Sequence, residues 1–81
     1  MFRKLIETGQ IEVDGQVYTA HYFELRTAHG GFRYSCEVVL DAEDRVIVDD
    51  DSLSGVQLKV SIVVPATLYS RLLAARTSVA A

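Results

Sequence analysis

The chain has 81 residues, of which 49 % are apolar, and a formal net charge of −3 from 8 basic and 11 acidic side chains. That length allows one domain with one modest core, so residues 1–81 are read as a single unit. The apolar content excludes a disordered chain, and the acidic balance with no basic stripe argues against a nucleic-acid partner.

Cys36 is the single cysteine, which excludes an internal disulfide and fits a reducing compartment. No apolar run approaches the roughly 18 residues of a membrane span. Arg3 and Lys4 are not followed by the apolar segment and small-residue cleavage site of a signal peptide. The expectation is a soluble, cytoplasmic protein with no membrane partner.

Asp14-Gly15 is the first turn signal, because Asp-Gly suits a two-residue turn in which both central residues take φ > 0. It separates a first strand at 7–13 from a second at 16–27. Phe2, Leu5 and Ile6 either extend the first strand or pack as a short arm. His29-Gly30-Gly31 is the next turn, followed by a third strand at 32–40. A polar turn around Asp41, Glu43 and Asp44 leads into a fourth strand at 45–48.

Residues 56–64 alternate apolar and polar side chains. Val56, Leu58, Val60, Ile62 and Val64 share one parity, and Gln57, Lys59 and Ser61 share the other. With so many β-branched residues this reads as a fifth strand. The alternative is a helix capped by Ser52, with Leu53, Val56, Val60 and Val63 as its buried stripe. Pro65 then suits the first turn of a helix over 65–76, with Leu68, Leu72 and Ala75 on one face. The fold class expected is α+β: a small antiparallel meander of four to five strands followed by a C-terminal α-helix.

Register carries the main functional expectation. The first turn sets Val13 opposite Gln16 and Ile11 opposite Tyr18. If Thr27 faces Phe32, then Phe23 faces Cys36 and His21 faces Val38. The two hairpins then bury opposite faces, unless a bulge near Tyr22 and Phe23 reverses the alternation. A sheet apolar on both sides needs a second copy of the chain to cover it. Tyr18, Tyr22, Phe23 and Tyr34 are the expected interface residues, tyrosine being enriched at such surfaces.

Chemistry-bearing residues are few. Adjacent Asp49, Asp50 and Asp51 cannot all reach one ion from an extended strand, and the spacing of a calcium loop is missing, so no metal is expected. His21 and Cys36 are the only pair suited to nucleophilic chemistry, on one face in this register. Cys36 lies in an apolar strand and reads as a buried structural thiol. Glu12, Glu24 and Glu37 alternate with apolar neighbours as solvent-facing strand positions do. Arg26 and Arg33 would face each other beside the tyrosines. The acidic cluster of Asp41, Glu43, Asp44, Asp49, Asp50 and Asp51 would suit contact with a basic surface of another protein, the partner expected besides a second copy, although the usual reading of such a cluster is solubility and edge protection.

Asp50, Ser52 and Gly55 form the pattern Asp-x-Ser-x-x-Gly, flanked by β-like runs. This resembles the second motif of the PilZ family of cyclic-di-GMP receptors. The resemblance implies a β-barrel in which Asp50, Ser52 and Gly55 meet a guanine. The family's Arg-x-x-x-Arg motif has no counterpart here, since Arg3 and Lys4 do not reproduce its spacing. The expected function is therefore a non-enzymatic interaction module acting as a homodimer, with no cofactor. A ligand- or nucleotide-binding domain using the 50–55 loop is the alternative.

Overall fold

The computed structural model describes the backbone of residues 2–80 and the side chains of residues 3–76. Strands β1 (Phe2–Val13), β2 (Gln16–Arg26), β3 (Phe32–Asp41) and β4 (Asp44–Asp50) precede one long helix, α1 (Leu53–Ala80). The strands form an open antiparallel meander in the order β1-β2-β3-β4. This is the α+β class read from the sequence, with four strands. The barrel implied by the PilZ-like motif is not formed.

The first hairpin follows its turn chemistry. Asp14 and Gly15 take φ of 51° and 81°, and Val13 pairs with Gln16 and Ile11 with Tyr18. β1 begins earlier than the 7–13 reading, so Leu5 and Ile6 belong to the sheet. Its register shifts between Leu5 and Glu7, which face Phe23 and Tyr22. The irregularity thus falls opposite the Tyr22-Phe23 step, on β1 rather than β2.

The second hairpin differs by one residue from its expected register. Arg26, not Thr27, pairs with Phe32, and Tyr22, not Phe23, pairs with Cys36. Thr27 closes the loop instead. Its amide donates to the Gly31 carbonyl at 2.9 Å and its Oγ1 accepts from the Gly31 amide at 3.0 Å. Gly30 supplies the positive φ of 81° that the turn needs.

One residue of slip moves every side chain of a strand to the other face. The two hairpins therefore bury the same face, not opposite ones. Ala20, Tyr22, Cys36, Val38 and Val46 form the sheet side of one core, joined by Ile11, Val13, Tyr18, Tyr34 and Val48. The expected conflict between the hairpins does not exist, and it gives no reason for a second copy.

Residues 56–64 are helical, which corrects the fifth strand. Ser52 caps the helix, with its Oγ accepting from the Gly55 amide at 3.0 Å and its carbonyl from the Val56 amide at 3.1 Å. An alternating pattern also contains the spacing i, i+4, i+8. Val56, Val60 and Val64 stack on one side of α1 and are fully buried against the sheet. The intervening Leu58 and Ile62 lie about 200° around the axis and point away from it. A pattern that gives a strand one apolar face gives a helix two, on opposite sides. Pro65 consequently lies inside α1 rather than in its first turn.

Candidate functional site

Two solvent-accessible ion pairs join α1, already seated by its buried valines, to the edge strand β4. At one end, Lys59 Nζ pairs with the Asp50 carboxylate at 3.3 Å and donates to the Asp49 carbonyl at 2.8 Å. At the other, Arg71 donates through Nε and Nη2 to the two Asp44 oxygens at 2.7 and 2.9 Å. The lengths match. Twelve helical residues rise about 18 Å, and six strand steps span about 20 Å. The helix therefore runs antiparallel to β4, with a basic residue facing an acidic one at each end.

These contacts occupy the 50–55 segment. Asp50 also accepts from the Asp51 amide, and its carboxyl is held down at about 2, through hydrogen bonding at Asp51 and then Lys59. Ser52 is used as the helix cap. Gly55 passes so close to Asp50 that a Cβ there would meet its carboxyl carbon at 2.6 Å. Asp50, Ser52 and Gly55 are brought together, and their polar groups are directed at one another, at Lys59 and at the helix start. Asp44 has its carboxyl lowered by the Arg71 hydrogen bond. The sequence signal that was missed is the pair Lys59 and Arg71, set twelve residues apart opposite Asp50 and Asp44.

The proposed nucleophilic pair is separated. Cys36 lies on the helix-covered face, and His21, which pairs with Glu37, lies on the other. The Cys36 thiol is buried completely, and that burial pushes it up to about 11. Tyr22 is also raised, first by burial and then by the neighbouring thiol. Among the described residues no group of three or more His, Cys, Asp or Glu side chains is placed to hold a metal ion.

Arg26 and Arg33 occupy opposite faces instead of facing each other. Arg26 stacks on Phe32 with its guanidinium 5.5 Å from the ring centre, and Arg33 pairs with Asp49 at 2.9 Å. On the outer face of the sheet, Glu37 lies between Arg3 and Arg45 and pairs with both. Arg3 also covers the Phe23 ring at 3.6 Å.

Of the four expected interface residues, Tyr18, Tyr22 and Tyr34 lie on the helix-covered face, and Phe23 lies on the other. Tyr22 is 8 % exposed and belongs to the chain's own core. Phe23 lies on the opposite face beneath Arg3. Tyr34 packs against the core from the covered face. Tyr18 is half-buried and lines an open groove of about 460 Å³ between the first hairpin and the helix, with Val13, Pro65, Leu68, Tyr69 and Leu72.

The groove exists because α1 packs on β3 and β4, leaving the β1–β2 half of the covered face only partly overlaid. It runs into a stripe on the outward side of the helix. Leu58 is 63 % exposed, Ile62 62 %, Tyr69 62 % and Leu72 48 %. The segment Leu53–Arg76 is long and apolar enough to cross a membrane by length and composition, with mean hydropathy 1.3 and 11 % of its apolar window buried. No known family, curated protein or solved structure matches the chain.

Proposed function

We propose that this chain is a non-enzymatic interaction module that works as a homodimer, joined through the outward stripe of α1 and the adjoining groove. The observation that carries this reading is the doubled apolar character of the helix. Val56, Val60 and Val64 cover the chain's own sheet, while Leu58, Ile62, Tyr69 and Leu72 form a second apolar surface that stays in water. Full burial of a leucine or isoleucine side chain is worth roughly 1.5–3 kcal/mol, and these partly exposed side chains each forgo a share of it. Contiguous exposed apolar surface of this kind marks a contact with another molecule.

Ion pairing favours a protein contact over insertion into lipid. Spanning a bilayer would carry Lys59 with Asp50, Arg71 with Asp44, and the adjoining β4 backbone into hydrocarbon, where charges and strand edges are costly. A contact made through one side of the helix leaves these pairs in place. The nucleotide-binding alternative is weakened because Asp50 and Ser52 are engaged within the chain.

Sedimentation over a range of protein concentrations tests the reading. The expected result is a mass near twice that of the 9.0 kDa chain, and a chain-sized, folded species for Tyr69→Glu. A folded wild-type monomer at high micromolar concentration would overturn it.

A further inference from the structure

We infer that β1 takes up an extended segment of another protein as a fifth, antiparallel strand along residues 7–13, with an aromatic side chain of that segment seated beside Gly9. The site lies apart from the outward stripe of α1 and does not depend on the homodimer.

The strand order makes β1 one edge of the sheet. A two-residue turn makes Val13 and Gln16 a hydrogen-bonded pair, and bonded and non-bonded pairs alternate from there. Gly9, Ile11 and Val13 thus bond inward to β2, while Thr8, Gln10 and Glu12 turn their amides and carbonyls outward. These outward groups repeat at about 7 Å, a spacing that another extended backbone matches.

The opposite edge is not equivalent. α1 packs along β4, and Lys59 already donates to the Asp49 carbonyl at 2.8 Å. The first half of β1 is protected by Lys4 and by the register shift between Leu5 and Glu7. Thr8, Gly9, Gln10 and Ile11 have no charge, proline or register shift among them.

Gly9 supplies the second observation. Its φ is not positive. Among the described residues a Cβ there would meet only the Tyr22 ring, at an ordinary 3.9 Å. Neither the backbone nor the packing of this chain calls for a glycine, which weakens a strand. An edge glycine leaves a notch that an aromatic side chain on the adjoining strand fills. Here that side chain would lie on the helix-covered side, where the Tyr22 ring borders the notch.

The remaining positions define the partner's chemistry. The residue opposite half-buried Ile11 is suited to a β-branched side chain. Glu7 and Glu12 are the only charges on residues 7–13, so basic residues fit opposite them. A second copy of β1 would bring the same two carboxylates and no base to residues 7–13. The occupant is therefore a segment of a different protein, alternating apolar and polar, with basic residues toward its ends.

The blocked heptapeptide Ile-Lys-Val-Thr-Phe-Thr-Lys is the probe. Paired antiparallel, it sets phenylalanine opposite Gly9 and lysines opposite Glu7 and Glu12. Amide exchange in the whole chain reads the contact. The expected result is slowed exchange at Thr8, Gln10 and Glu12 with this peptide, and none with a scrambled peptide of the same composition. Gln10→Pro removes an outward donor but no ladder bond, so it should keep the fold and abolish binding. Gly9→Val should raise the melting temperature yet weaken binding about tenfold or more, because it improves the strand and fills the notch. No slowing with the heptapeptide, equal slowing with the scrambled one, or undiminished binding by Gly9→Val overturns the proposal. Protection of these amides that grows with the concentration of the free protein also overturns it, by placing a second copy on the edge.

Discussion

Asp50 lies directly beneath Gly55, so close that a Cβ at residue 55 would meet the carboxylate oxygens at 2.6 and 2.9 Å. The carboxylate has little room to retreat, because Lys59 and the Asp51 amide hold it from two sides. A side chain at residue 55 would have to displace the Asp50 carboxylate from these partners, which opposes the roughly 1 kcal/mol by which alanine is favoured over glycine in a helix.

Gly55→Ala is expected to destabilise the protein. In an Asp50→Ala background the same substitution should stabilise it, by about 1 kcal/mol, because only the helix propensity remains. Denaturant melts of the four proteins in the cycle check this. Equal effects of Gly55→Ala in both backgrounds would show that the close approach has no energetic consequence.

Acid should loosen the helix from the sheet. Asp50 is held at about 2, against an ordinary 3.8, and Asp44 is lowered in the same direction by Arg71. A carboxylate with a depressed folded-state pKa contributes stability that is present above the unfolded value. It is lost as pH falls through the folded value. Stability is therefore expected to be full above about pH 5 and to fall between about pH 4 and pH 2. Asp44→Asn and Asp50→Asn together should flatten that part of the pH profile, read by thermal melts. Salt should weaken the effect, since both pairs are solvent-accessible.

Cys36 should react slowly with a thiol reagent in the native protein and quickly in denaturant. It is fully buried and its thiol is pushed up to about 11, so little thiolate exists at neutral pH. Cys36→Ala is expected to cost on the order of 1 kcal/mol or more through lost packing against Tyr22 and Val38. Rapid native-state labelling would show that the face assignment of β3 is wrong.

Calorimetry with cyclic-di-GMP is expected to show no binding at physiological concentrations. Asp50 and Ser52 are already paired with Lys59 and the helix start, and the arginine motif that would grip the phosphates is missing. A low-micromolar isotherm abolished by Ser52→Ala would make the 50–55 segment a ligand site after all.

Self-association should appear in stability as well as in mass. The wild-type melting temperature is expected to rise with protein concentration, because a dimer is favoured by mass action. Tyr69→Glu should remove that dependence while leaving the chain folded. Tyr22→Glu should instead unfold it, since Tyr22 is 8 % exposed within the chain's own core. A concentration-independent wild-type melt would count against the homodimer.

The sequence by itself determined what local chemistry controls. Asp14-Gly15 specifies a two-residue turn and hence the pairing of Ile11 with Tyr18. The apolar third strand placed Cys36 inside, and Ser52 was already visible as a cap. Two features escaped it. The β2–β3 register depends on whether Thr27 pairs across the ladder or closes the loop on Gly31. Those states differ by one residue and so by a whole face. Residues 56–64 alternate with a period that both a strand and an i, i+4 helix satisfy, and their β-branched composition favours the strand. Tertiary structure decided for the helix. Its valines pack on the β3–β4 half of the one face that both hairpins present, while Lys59 and Arg71 reach Asp50 and Asp44 at the two ends of β4. Those partners are remote in the chain, so no local pattern could announce them.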